Sequence, residues 1–252
     1  VLGCSGGVGV PGARTTGFLV DEHTLIDAGT GIVDLTLDEL AKIDRVFVTH
    51  SHLDHVLGIP LLLDAVSSRR ERPLVVHALS ATIDSLRRHL FNWTMWPDFT
   101  VIPAADRPGL VFETIEVNEQ VCLPGGACIR ALPAAHVVPA LGYEVRGETA
   151  SLVFTGDTGR NPGLWPLLES VTDLRHLVIE CAFAEIDRTL AEVSCHLCPS
   201  LLAAELARLP AEPRIHVTHL KPGDSELTMR DIARLLPARN VERLREGEVF
   251  LL

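Results

Sequence analysis

The chain has 252 residues, 47% of them hydrophobic and 22% charged, with a formal net charge of −11. That balance excludes an intrinsically disordered protein and supplies enough chain for a substantial core. The acidic excess argues against broad capture of nucleic-acid backbone and leaves only a local basic groove open.

In chain order, residues 18–20 (FLV) and 24–26 (TLI) predict two short strands joined by Asp21-Glu22-His23, and residues 27–31 (DAGTG) turn the chain. Residues 35–42 carry apolar side chains at helical spacing. Residues 45–49 (RVFVT) read as a short buried strand ending on a histidine cluster. A helix is expected over 60–66, a strand over 74–76, and a helix from Ser80, a capping residue type, to about His89. Further strands are expected at 127–132, 142–145, 151–155, 176–180 and 214–218, and helices at 199–209 and 228–235. Strands open each half, helices follow, and no linker separates them. This predicts α/β, one domain over 1–252, with mixed sheets packed face to face and helices outside.

The longest apolar run, 56–63, contains Gly58 and Pro60 and is too short to span a bilayer. The first residues (VLGCSGGVGVPGAR) lack the basic and apolar regions of a signal peptide, so a cytoplasmic location and no membrane contact are expected. The chain begins without Met, so a trimmed segment stays open. The six cysteines, Cys4, Cys122, Cys128, Cys181, Cys195 and Cys198, are too few for a disulfide scaffold. They read as small buried hydrophobes or free thiols of a reducing compartment.

The strongest chemical signal is His50-Ser51-His52-Leu53-Asp54-His55, four potential ligands within six residues directly after a strand. Imidazole and carboxylate suit borderline divalent metals, but one turn cannot surround an ion. Further ligands must come from elsewhere, and His136, Asp157 and His219 each close an apolar run later in the chain. His23, His77, His89, His176 and His216 read as lone histidines without a partner motif.

The sequence HSHLDH, a later isolated His, Gly156-Asp157-Thr158 and the Thr218-His219 pair together resemble the metallo-β-lactamase superfamily, nearly end to end. The resemblance implies an αββα four-layer sandwich with a dinuclear site on one rim. It implies His50, His52 and His136 on one metal, Asp54, His55 and His219 on the second, and Asp157 bridging both. Zinc is the default, with manganese or iron fitting the same residues. Asp27 resembles the superfamily's buried carboxylate that orients metal ligands; capping the turn is the alternative.

A two-metal site generates hydroxide near neutral pH and clamps the attacking and leaving oxygens. Glu180-Cys181-Ala182-Phe183, followed by Cys195-His196-Leu197-Cys198-Pro199, resembles the branch holding cyclic-nucleotide phosphodiesterases and tRNA 3′-processing endonucleases. There a Glu at a strand end pairs with a His before a helix. The implied roles are His196 as proton donor, Glu180 as its orienter and Asp54 with Asp157 orienting the hydroxide. Lys221, one of only two lysines, sits two residues past His219 and could meet a phosphate oxygen.

HSHLDH with Val56-Leu57-Gly58, and Leu90-Phe91-Asn92-Trp93 with Trp96-Pro97-Asp98-Phe99, look most like class II 3′,5′-cyclic-nucleotide phosphodiesterases. The expected reaction is hydrolysis of a small nucleotide substrate such as cyclic AMP to the 5′-monophosphate. Phe91 and Phe99 read as core, or as the interface of a homodimer formed through segment 91–99; Trp93 and Trp96 stay open between an interface and a cleft wall. Cys198 stands where the family usually has a hydroxyl residue. The rivals are an RNA 3′-processing endonuclease and a thioesterase, lactonase or sulfatase on the same scaffold. A third is a redox or metal-binding module on Cys195 and Cys198. The endonuclease would need a basic arm, for which Arg69, Arg70, Arg72, Arg87 and Arg88 are the only candidates.

Overall fold

The alternation of apolar residues along the central strands decides the architecture, because it gives both sheets two buried faces. In the computed structural model, which describes residues 1–209 and 212–252, the first half runs β1 (Phe18–Asp21), β2 (Thr24–Ile26), α1 (Leu37–Lys42), β3 (Arg45–Phe47), α2 (Leu53–Val56), α3 (Gly58–Val66), β4 (Leu74–Ala78) and α4 (Ser80–His89). A small hairpin, β5 (Pro103–Ala104) with β6 (Arg107–Pro108), precedes β7 (Leu110–Thr114). The second half runs β8 (Gln120–Cys122), β9 (Cys128–Ala134), β10 (Ala140–Arg146), β11 (Ser151–Phe154), α5 (Trp165–Leu168), β12 (Leu174–Glu180), α6 (Arg188–Val193), α7 (Pro199–Leu206), β13 (Arg214–Thr218), α8 (Ser225–Leu235) and β14 (Val241–Arg243).

The first sheet has the order β1-β2-β3-β4-β7, and the second β14-β13-β12-β11-β10-β9-β8. On β12, Leu177 and Ile179 pack toward the helices, and Val178 packs between the sheets. On β11 the split is Val153 against Leu152 and Phe154. On β3 it is Val46 against Phe47. Successive side chains of a strand point to opposite faces, so this period of two builds three apolar layers. One lies under α1, α3 and α4, one between the sheets, and one under α5, α7 and α8. The expected four layers are therefore present.

The strand directions place the site. β11, β12 and β13 are parallel. β10 is antiparallel to both β11 and β9, so β9 runs with β11. The carboxyl ends of β9, β11, β12 and β13 thus open on one rim, where open α/β sheets hold ligands. Tyr143, fully buried on β10, donates its hydroxyl to Val48 O at 2.8 Å, and Leu141 N donates to Thr49 O at 2.9 Å. These bonds tie the second sheet to the segment leading into HSHLDH.

Several expectations need correction. Ser80 does not cap α4; it is the first helical residue, Leu79 holds the cap position, and no side-chain cap bond is made. Capping appears instead at α1, where Thr36 and Glu39 form a reciprocal box. The helix expected at 199–209 ends at Leu206. Cys122 and Cys128 are not free thiols: they face each other across β8 and β9 and form a disulfide. His176 and His216 are not without partners. They occupy paired positions on β12 and β13, their rings meet at Nδ1···Nε2 3.1 Å, and Phe250 packs over both. Phe91 and Phe99 are buried in the core, Trp96 packs against it, and Trp93 is exposed. Among the described residues no helix is long and apolar enough to cross a membrane.

Candidate metal centre

Five chain segments reach the rim. His50 and His52 lie between β3 and α2, Asp54 and His55 are in α2, His136 follows β9, and Asp157 follows β11. Glu180 is the last residue of β12, and His219 follows β13. Asp157 is delivered by Gly156, whose φ of +62° lies in the left-handed region; a Cβ there would stand 2.4 Å from Leu141 O. Glycine is the residue that fits such a turn.

The side chains converge in overlapping groups whose potential ligand atoms lie within 4.8 Å of one another. One group is His50, His52 and His136, another is Asp54, His55 and His219, and a third joins Asp157 to His50 and His55. Asp157 Oδ2 lies 3.3 Å from His55 Nε2 and 3.8 Å from His50 Nε2, and its Oδ1 lies 3.2 Å from His219 Nδ1. Asp54 Oδ2 lies 3.7 Å from His55 Nε2 and 3.8 Å from His219 Nε2.

Hydrogen-bond logic fixes the tautomers. His136 Nδ1 faces Cys195 O at 3.0 Å; a carbonyl only accepts, so Nδ1 carries the proton and Nε2 a lone pair. That Nε2 points at His52 Nδ1, 3.3 Å away. His55 Nδ1 donates to Asp27 Oδ2 at 2.7 Å. Thr49 Oγ1 spends its hydrogen on Asp27 Oδ2 at 2.8 Å and so accepts from His50 Nδ1 at 3.0 Å. The Nε2 atoms of His50 and His55 are left buried without a hydrogen-bond partner, as is His219 Nδ1. Buried polar atoms without partners are costly. Converging imidazole lone pairs beside two carboxylates are satisfied by a divalent cation, so the residues present fit the expected group.

The electrostatics agree. Burial, together with the neighbouring imidazoles, pushes the pKa of His50 well below its usual value. Burial likewise lowers His52, His136 and His219. Burial opposes charge on His55, but Asp157 and Asp27 outweigh it and raise its pKa well above normal. Burial also disfavours charge on Asp157, yet His219, His55 and His50 hold its carboxyl well below the ordinary range. His50, His52, His136 and His219 are thus held neutral, with lone pairs to offer, beside an Asp157 carboxyl held ionised. Asp27 orients His55 and Thr49 rather than merely capping its turn, and the fully buried carboxylate also accepts Thr49 N at 2.8 Å.

Beside this cluster stands a second device. Glu180 is fully buried, and Oε1 accepts from His196 Nδ1 at 2.6 Å and Thr158 N at 2.9 Å. Oε2 accepts from Ala182 N at 3.0 Å and Leu197 N at 3.1 Å. Burial lowers the His196 pKa, but Glu180 reverses this and the net shift is upward. The His196 ring lies 4.8 Å from that of His136 and 5.4 Å from that of His219. With Nδ1 held, Nε2 is the nitrogen free to exchange a proton. Lys221 Nζ donates to Gly6 O at 2.8 Å and lies 5.8 Å from the Phe183 ring centre. Phe183, quoted in the sequence only as part of a motif, also touches the His196 ring at 5.6 Å. The supports Thr49, Thr158 and the Cys195 carbonyl were missed, because backbone and hydroxyl contacts leave no local sequence signal.

The family described as "Beta-lactamase superfamily domain" matches residues 23–240. Ribonuclease Z of Bradyrhizobium sp. (strain ORS 278) is 29% identical over 265 aligned residues, covering 85% of both chains. The probable 3′,5′-cyclic-nucleotide phosphodiesterase of Yersinia pestis is 26% identical over 72% of this chain, and the 3′,5′-cyclic-nucleotide phosphodiesterase of Schizosaccharomyces pombe (strain 972) 26% over 67%. The chain covers 58% and 51% of those two phosphodiesterases. Among solved structures, unliganded yeast PDE1 superposes with a TM-score of 0.79 at 18% identity, covering 97% of this chain and 96% of that one. The short form of human tRNase Z gives 0.69 at 17%, covering 99% and 97%. Zn(2+)-bound PqqB from Methylobacterium extorquens gives 0.68 at 16%, covering 100% and 98%. At these identities the structural likeness speaks for the fold.

Proposed function

The chain belongs to the beta-lactamase superfamily and is a metal-dependent hydrolase of that fold, and from this premise we propose that it is a phosphodiesterase opening 3′,5′-cyclic nucleotides to 5′-monophosphates. The observation that carries the reading is the buried Glu180–His196 pair beside the imidazole–carboxylate cluster. Alkoxide is a poor leaving group and needs a proton as the ester bond breaks. A thioester's thiolate leaves without such help, whereas a lactone or an alkyl sulfate also releases an alkoxide, so the pair separates this reading from thioester hydrolysis.

Two divalent ions, held by His50, His52 and His136 and by Asp54, His55 and His219 with Asp157 shared, would supply a nucleophile at neutral pH and neutralise phosphoryl charge. Zinc is the metal expected. Asp54 and Asp157 orient the attacking water. His196, kept protonated by Glu180, delivers its Nε2 proton to the departing 3′ oxygen. Glu180 acts through the ring: it accepts four hydrogen bonds, and the one from Nδ1 fixes the imidazole and stabilises its charge.

RNA 3′-end processing is the second reading, favoured by the ribonuclease Z relative that matches over 85% of its length. Against it stands the net charge of −11. Arg70, one of the basic candidates, is also committed to structure: it bonds Ala41 O, Ile43 O and the Asp44 carboxylate. The test is metal analysis of the purified chain with hydrolysis of cyclic AMP, cyclic GMP, a tRNA precursor and a thioester. Metal-dependent turnover of the cyclic nucleotides supports the reading; turnover of the tRNA precursor or the thioester alone overturns it.

A further inference from the structure

Residues 2–7 lie against the loop that follows β13. His219 N donates to Cys4 O at 2.8 Å, and Thr218 Oγ1 donates to the same carbonyl at 3.2 Å. Gly6 N donates to Leu220 O at 3.0 Å, and Ser5 bridges Leu220 in a strand-like pair. Lys221 Nζ closes the contact on Gly6 O. Gly6 is pressed against the histidine itself. A Cβ at that position would stand 2.1 Å from His219 O and 2.9 Å from Cδ2 of the imidazole. His219 meanwhile holds a φ of +59°, a left-handed conformation uncommon for residues with a side chain.

We propose that Gly6 and Lys221 are positioning residues for the second metal position: the segment around Gly6, fastened by Lys221, braces His219 so that its ring completes the group with Asp54 and His55. The proposal rests on the two-ion reading of the cluster. It gives Lys221 a role through His219. The brace also accounts for a glycine at position 6, since a Cβ there would overlap the His219 carbonyl.

The test is stepwise Zn²⁺ binding to the whole chain by calorimetry, with metal content after dialysis, for the wild type, Gly6→Ala, Lys221→Met and Gly147→Ala. Gly147 is the control for general crowding: its Cβ would stand 2.4 Å from the Leu252 carbonyl carbon, away from the rim. Expected are two ions on the wild type, and one of the two steps weakened about 10–100-fold in both Gly6→Ala and Lys221→Met, the range for loss of groups that orient metal ligands. Gly147→Ala should keep both steps while its melting temperature falls. Lys221→Met adds no steric conflict and carries the test should Gly6→Ala fail to fold. Unchanged affinities in Lys221→Met remove the lysine from the brace, and unchanged affinities in both variants overturn it. Fewer than two ions on the wild type overturns the two-ion reading, and the brace with it.

Discussion

Replacing Glu180 by glutamine keeps the side-chain shape and removes the charge that holds His196. The carboxylate accepts four hydrogen bonds, two on each oxygen. An amide offers one accepting oxygen. With that oxygen turned to Ala182 N and Leu197 N, the NH₂ group faces Thr158 N–H and His196 Nδ1. Nδ1 must then accept, and the ring loses the doubly protonated form that an acid catalyst needs. One buried N–H is also stranded, at a cost of about 1–3 kcal/mol. For a chain of this length each kcal/mol lowers the melting temperature by about 2–4 °C. Loss of a placed general acid lowers a rate about 10²–10⁴-fold, which is about 3–5 kcal/mol of barrier. The assay compares kcat/KM on a 3′,5′-cyclic nucleotide, whose leaving group is an alkoxide, with that on bis(p-nitrophenyl) phosphate, whose leaving phenolate needs no proton. The cyclic nucleotide should lose activity and the aryl diester far less, and His196→Ala should reproduce the split. Because Glu180 raises the His196 pKa, the alkaline limb of the wild-type pH profile should move to lower pH in Glu180→Gln. Equal losses on both substrates, or none, refute the proton-donor assignment.

Asp27→Asn removes the carboxylate that accepts from His55 Nδ1 and from Thr49; divalent-ion affinity should fall about 10–100-fold in competition with a chelator, and unchanged affinity would remove Asp27 from the site. Added Zn²⁺ at a hundredfold excess over its dissociation constant should stabilise the fold by about 2.7 kcal/mol, read as a rise in melting temperature that EDTA reverses. A flat response to zinc, manganese and iron would contradict a metal centre. Burial, then His216, Arg214 and Arg175, lower the pKa of His176 to about 4. Between pH 6.5 and 4 the unfolded chain binds a proton that the folded chain refuses, so stability drops as pH falls through that window. His176→Gln should flatten the slope by up to about 1.4 kcal/mol per pH unit in denaturant titrations; an unaltered slope would show that His176 does not set it.

The sequence alone carried whatever is encoded by neighbours along the chain. The strands that show it, β3, β11, β12 and β13, are central ones with buried residues on both faces, so apolar patterning marks them plainly. β7, β8 and β14 escaped because they are edge strands with few fully buried residues, and an edge strand needs less apolar patterning. The clustering of HSHLDH with His136, Asp157 and His219 was legible because each supplies titratable side chains closing an apolar run, the residue types a divalent ion would require. What only the tertiary structure decided is everything set by contacts between distant segments. It joined His176 to His216 across β12 and β13, and wrapped Glu180 in four donors. It also committed Lys221 to Gly6. Such partners lie up to 215 positions apart, where local spacing carries no information, and they meet because the strand directions bring their carboxyl ends to one rim.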